Sequence, residues 1–215
     1  MLGFCCTALP GPRDMPVTTE SEQHVNSPLN ALRQATQAQH AALDQALPLQ
    51  RDDFGRSDYL DYIARVSGWL RPLEATLWSS PWPSLEDAGQ RAGKLAWIEA
   101  DLLEGGWSRA QVDAIPACPY VPQASDEARR FGIAYVLEGS TLGSSFLFRR
   151  LQPRLAPLPL HWLLGYGTAT GPLWKSFIRR LEEQLAETSQ VEAASAAACE
   201  AFESFNRWVV RGESA

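Results

Sequence analysis

An all-α fold is predicted by three features of this 215-residue chain. Apolar residues recur at three- and four-residue steps, no stretch shows the apolar-polar alternation of strands, and proline and glycine clusters cut the sequence into helix-sized pieces. The length suits one substantial core, and no internal repeat divides it. A single helical domain is therefore expected over residues 27–215, behind a disordered tail at residues 1–26. That tail mixes Gly, Pro, Thr, Ser and Glu without apolar periodicity, and it contains Met15, an alternative start to Met1.

Ser27-Pro28 opens the first helix, because serine accepts from orphan amides and proline fits the first helical position. It runs to about Gln45 with Leu29, Leu32, Thr36, His40 and Leu43 on its apolar face. A second helix is predicted from about Asp58, with Tyr59, Tyr62, Ile63, Val66, Trp69, Leu70, Leu73 and Leu77 facing inward, ending before Pro81 and Pro83. A third covers Leu85 to Leu103 and stops at Gly105-Gly106; Ser108 then caps a short helix through Val112, ahead of the link from Pro116 to Pro122. The pattern from Ser125 to Leu151 is helical despite interior Gly132, Gly139 and Gly143. A link follows with Pro153, Pro157 and Pro159, then a short helix at His161 to Leu164. Another starts near Pro172 and places Trp174, Phe177, Ile178, Leu181 and Leu185 on one side. The last, Val191 to Val210, buries Ala194, Ala198, Phe202, Phe205 and Val209.

Composition narrows the function. A formal net charge of -6 argues against a nucleic-acid partner, since affinity for phosphate backbones rests on clustered Lys and Arg. No apolar run approaches the ~20 residues of a membrane span, and Met1 to Leu9 lacks the basic start and long apolar stretch of a signal peptide. A cytoplasmic location without membrane attachment is expected. Cys5, Cys6, Cys118 and Cys199 form no C-x-x-C pair, so neither a zinc ribbon nor a disulfide framework is indicated.

Three groups of residues carry chemistry. His40 lies in the apolar stripe of the first helix, where an imidazole needs a partner, and Asp44 follows one turn later. The carboxylate accepting from one ring nitrogen fixes the tautomer and leaves the other to bind a metal; a core histidine bonded to its neighbour is the plainer alternative. No second His, Cys or Glu stands at ligand spacing from His40, so a metal held there suits a haem, whose ring supplies four donors. The second group is Glu138-Gly139-Ser140-Thr141-Leu142-Gly143-Ser144-Ser145. Glycine costs about 0.5–1 kcal/mol per helix interior position, so Gly139 and Gly143 serve close approach, by another helix or a flat ligand, while Ser140 and Ser144 add hydroxyls for a water network. The third is cationic: Lys175 and Arg179 lie four apart, and Arg33 lies two turns before His40 on the same side. Together they suit two carboxylates, or form an ordinary solvated face.

These segments resemble the haem oxygenases. The resemblance is carried by Leu32-Arg33-x-x-Thr36-x-x-x-His40-x-x-Leu43-Asp44, Tyr135-Val136-Leu137-Glu138-Gly139-Ser140-Thr141-Leu142-Gly143, and Gly165-Tyr166-Gly167-x-x-Thr170-Gly171-x-x-Trp174-x-x-Phe177. It is nearest the bacterial biliverdin-forming branch, which includes members supplying chromophore to a bacterial phytochrome. It implies a multihelical fold with haem between a proximal and a distal helix. His40 falls at the axial iron ligand, Asp44 at its carboxylate partner, and Gly139 and Gly143 at the distal glycines. Arg33, Lys175 and Arg179 fall at the propionate contacts, with Tyr135 a further candidate. Ser140 stands where many animal members carry a distal aspartate.

The implied reaction opens haem to biliverdin, carbon monoxide and ferrous iron, using molecular oxygen and an external electron donor. Haem is then substrate and cofactor together. Two other classes remain on the same fold: a non-catalytic haem carrier or sensor, motivated by Ser140, and a helical interaction module in which the glycines only pack helices.

Overall fold

The computed structural model describes residues 27–213, all of whose regular structure is helical. The tail expected at residues 1–26 lies outside the described residues. Helix α1 (Pro28–Ala46) starts as the sequence predicts, with Ser27 Oγ accepting from the Asn30 amide at 3.4 Å. Helix α2 (Arg56–Leu77) begins at Gly55, whose amide donates to Asp58 at 2.8 Å, and it continues through Pro72. Its inward stripe from Tyr59 to Leu77 is buried as expected, apart from a half-buried Tyr62.

The predicted third helix is two helices, α3 (Ala88–Arg91) and α4 (Lys94–Glu104). Gly93, at φ +86°, breaks them apart in a left-handed conformation that suits glycine. The Glu74 carboxylate accepts from the Lys94 and Leu95 amides at 2.7 and 3.2 Å and restarts the chain as helix. Periodicity saw one helix because Arg91 and Lys94 point inward with the apolar residues around them. After α5 (Arg109–Asp113), capped by Ser108 and Gln111, the long helix α6 spans Glu127–Leu155. It runs through Pro153, which was expected in the following link: proline this near a C-terminus forfeits only one late hydrogen bond.

Helix α7 (His161–Leu164) matches its predicted range. Buried Asp101 holds its first turn, accepting from the His161 and Trp162 amides at 2.8 and 3.0 Å and from the Tyr59 hydroxyl at 2.6 Å. Helix α8 (Thr170–Gln184) starts just before the expected Pro172. The last predicted helix is α9 (Thr188–Phe205), continuing as a wider π-helical turn at Asn206–Val210.

Helix α9 is the central beam. Both α6 and α1 lie along it, α8 packs on α6 and α1, and α2 packs on α4. The tightest crossing is α6 on α9: a Cβ on Gly132 would fall 2.0 Å from the Ala194 carbonyl oxygen, so only glycine permits the approach. Trp69, Phe131, Phe177 and Phe205 fill the centre, and Trp69 Nε1 donates to Ser204 at 2.8 Å. No helix among the described residues is long and apolar enough to cross a membrane.

Candidate functional site

Helices α1 and α6 share the supports α9 and α8 but show no comparable packing of their own among the described residues. At one end they meet, where half-buried Tyr135 of α6 reaches Thr36 and Arg33 of α1. Burial raises the Tyr135 hydroxyl above its ordinary range, opposed by the Thr36 hydrogen bond and the Arg33 charge. Thr36 is 3% exposed, whereas the His40 side chain is 64% exposed.

His40 is therefore not enclosed in an apolar pocket, as its place in the stripe suggested. His40 nevertheless stays beside α9, and Leu43, three residues on, still packs against the core. The imidazole approaches Phe202 of α9 edge-on, with ring centroids 6.0 Å apart. Its Nδ1 lies 3.0 Å from Asp44 Oδ2. The two exposed side chains are close enough to pair, and Nε2 has no hydrogen-bond partner among the described residues.

Helix α6 carries two interior glycines with open or nearly open space beside them. A Cβ on Gly143 would meet nothing within 4 Å, and one on Gly139 would meet only the Trp174 ring, at 3.8 Å. These glycines thus differ from Gly132, which serves packing. The hydroxyls nearby are turned into the helix: Ser140 donates to the Leu137 carbonyl at 2.8 Å and Ser144 to the Ser140 carbonyl at 2.8 Å. Both serines were expected to feed a water network. Their donated protons are instead spent on helix carbonyls, leaving oxygen lone pairs to accept from water.

The cations sit toward the α1–α8 side. The Leu29 amide donates to Glu182 at 3.2 Å, anchoring the start of α1 to the end of α8. Arg33 and Arg179 each lie about a turn from this anchor, and Lys175 a turn further along α8. All three are exposed, and Arg179 pairs with Glu183 at 3.1 Å. Arg33 and Tyr135 are brought together; the structure records no contact joining Arg33 to Lys175 or Arg179.

On the inner side of α6, at Glu138, lies a buried polar cluster that spacing did not reveal. Glu138, 2% exposed, accepts from Arg91 at 2.7 Å, from Lys94 at 2.7 Å and from the Tyr166 hydroxyl at 3.0 Å. Arg91 is also bound bidentately by Asp87, with both distances 2.7 Å. Lys94 donates further to the Arg91 carbonyl at 2.8 Å and to Tyr166. Burial lowers the Lys94 ammonium from its ordinary value while Glu138 opposes that shift. Burial raises the Tyr166 hydroxyl strongly, with the Glu138 charge adding to it, so the phenol stays neutral and donates. No spacing rule marked Arg91 and Lys94 as buried, since the segment from Leu85 to Leu103 carries other charged residues as well.

An exposed His40 beside Asp44, interior glycines on α6 with open or nearly open space beside them, and Arg33 near Tyr135 are the residues that could hold a flat ligand carrying its own metal and acidic groups. Among the described residues no three His, Cys, Asp or Glu side chains gather as a metal cage, and a porphyrin brings the remaining donors itself. The family model described as heme oxygenase matches residues 27–211, and the chain belongs to that family. No curated protein matches the sequence. Among solved structures, the NO- and CO-bound heme oxygenase from Neisseria meningitidis is similar in fold, with a TM-score of 0.66 and 18% identity over 86% of this chain and 91% of that one.

Proposed function

We propose that this chain binds one haem between α1 and α6, with His40 as axial ligand to iron, and opens it to biliverdin, releasing carbon monoxide and ferrous iron. Molecular oxygen and an external electron donor are the co-substrates. The reading is supported by an exposed His40 whose Nδ1 lies 3.0 Å from Asp44 and by Gly143, beside which the place of a side chain is open; we assign the two to opposite sides of the ring. The bound haem supplies the redox chemistry. This chain's residues decide where it lies and what reaches its distal side.

Asp44 holds the His40 ring and increases its basicity as a ligand. Arg33 and Tyr135, with Lys175 and Arg179, bind the propionates and so set the rotation of the ring in the cleft, which selects the meso carbon that reacts. Gly139 and Gly143 let the helix backbone close over the distal face. Ser140 and Ser144 hold water there by accepting from it, so proton delivery runs through ordered water rather than a side-chain carboxylate. We assign the functional domain to residues 27–215, which the family match over residues 27–211 supports.

The inward turn of the Ser140 hydroxyl favours a second reading, a haem carrier without turnover. Titrating the protein with haem and then adding reductant under air separates the two. Conversion of the Soret band to biliverdin absorption is expected; a stable haem complex that survives reduction and oxygen would select the carrier.

A further inference from the structure

The buried cluster behind α6 touches both walls of the distal side. Glu138 immediately precedes Gly139, and the guanidinium that binds Glu138 at 2.7 Å also donates to the Leu173 carbonyl at 2.9 Å. Leu173 immediately precedes Trp174, the residue whose ring stands 3.8 Å from a methyl placed on Gly139. One fully buried arginine therefore spans from the distal helix to the first turn of α8. Lys94 and Tyr166 close the cluster from α4 and from the turn leading into α8. Arg91, Lys94 and Glu138 are at most 2% exposed and belong to no part of the ligand-facing surface.

Buried ion pairs add little net stability over apolar side chains of similar volume, because desolvation offsets their attraction, but their directional bonds favour one arrangement. We infer that Arg91 and Glu138, supported by Lys94 and Tyr166, are positioning residues that set the gap between Gly139 of α6 and Trp174 of α8. They act through those two neighbours rather than by touching the ligand. The inference rests on the haem-degradation reading only for what lies in the cleft; the gap itself exists in the haem-free chain.

Glu138→Gln is the discriminating variant, since Glu138 contacts neither Trp174 nor Leu173 and loses its charge with little change of shape. The haem-free protein is labelled with 5-fluorotryptophan, and Trp174→Phe assigns one of the eight tryptophan fluorine signals. Glu138→Gln should move the Trp174 signal as well as that of Trp97, whose ring lies 5.1 Å from Tyr166, while signals from the far end, such as Trp107, stay in place. In the haem-loaded ferrous protein, the stretching frequency of bound carbon monoxide should shift. Turnover should fall, by up to roughly 100-fold if the displacement approaches an ångström, and by a larger factor than haem affinity, because His40 on α1 is untouched.

A folded Glu138→Gln protein with lowered melting temperature but an unmoved Trp174 signal would overturn the inference, as would an unmoved carbon monoxide frequency. If Glu138→Gln does not fold, Arg91→Lys retains the charge while removing the span to Leu173; the same two signals decide, in the same directions. A wild-type protein that takes up no haem defeats the proposed function and leaves the fluorine result standing as the test of the cluster.

Discussion

Three glycines on one helix have different jobs, and space around each separates them. At Gly132 an added methyl would overlap the Ala194 backbone, which cannot move without displacing α9. Gly132→Ala should destabilise the haem-free protein by more than about 2 kcal/mol, an overpacking cost read from urea unfolding. Gly139→Ala has ordinary contact with Trp174 and should be neutral or stabilise by up to about 1 kcal/mol through helix propensity. Its penalty should appear in biliverdin formation instead, because the methyl enters the distal side. Equal destabilisation by both substitutions would mean that Gly139 also serves packing. The sequence showed all three glycines and could not rank them, since spacing along a helix does not say which neighbour lies opposite. His40 and Asp44 were legible as a pair because one helical turn fixes their side. The exposure of His40 was not, because it depends on how much of the ring its neighbours on α9 cover.

At the scale of elements, helix starts and stops were readable wherever a cap or a proline acts locally, as at Ser27 and Ser108. They failed where distant partners decide. The break at Gly93 depends on Glu74 of α2, and the inward turn of Arg91 and Lys94 depends on Glu138 of α6. The α3 turn carries a pH signature. Burial pushes the Asp87 carboxyl up, but its hydrogen bonds and charge contact with Arg91 outweigh that and leave it below its ordinary value. A depressed folded-state pKa contributes stability above the unfolded value, near about 3.9, and that contribution is lost as pH falls through the folded value. Asp87→Asn should lower the urea midpoint at pH 7 and narrow the difference between pH 7 and pH 3. An unchanged pH dependence would show that the pair with Arg91 adds nothing to acid sensitivity.

For the whole molecule, the telling arrangement is two helices that share their supports yet stand apart. The motifs on α1, on α6 and near the start of α8 singled out candidate residues, but only the fold shows that the first two pack on the same helix, α9. The cationic side makes a quantitative demand. Lys175 and Arg179 are exposed, and Arg179 already has Glu183, so each alanine substitution should weaken haem binding by about 1 kcal/mol or less. The ratio of biliverdin isomers should respond more than affinity, because losing one propionate contact frees the ring to rotate; identical isomer ratios would reduce both residues to surface charge.

The axial assignment is the claim on which the rest depends. Titration of the wild type and of His40→Ala with ferric haem, followed by reductant in air, tests it in one series. The wild type should saturate at about one haem per chain with a histidine-ligated Soret spectrum and then yield biliverdin, whereas His40→Ala should lose that spectrum and bind more weakly. An identical spectrum, affinity and product yield from His40→Ala would contradict the account.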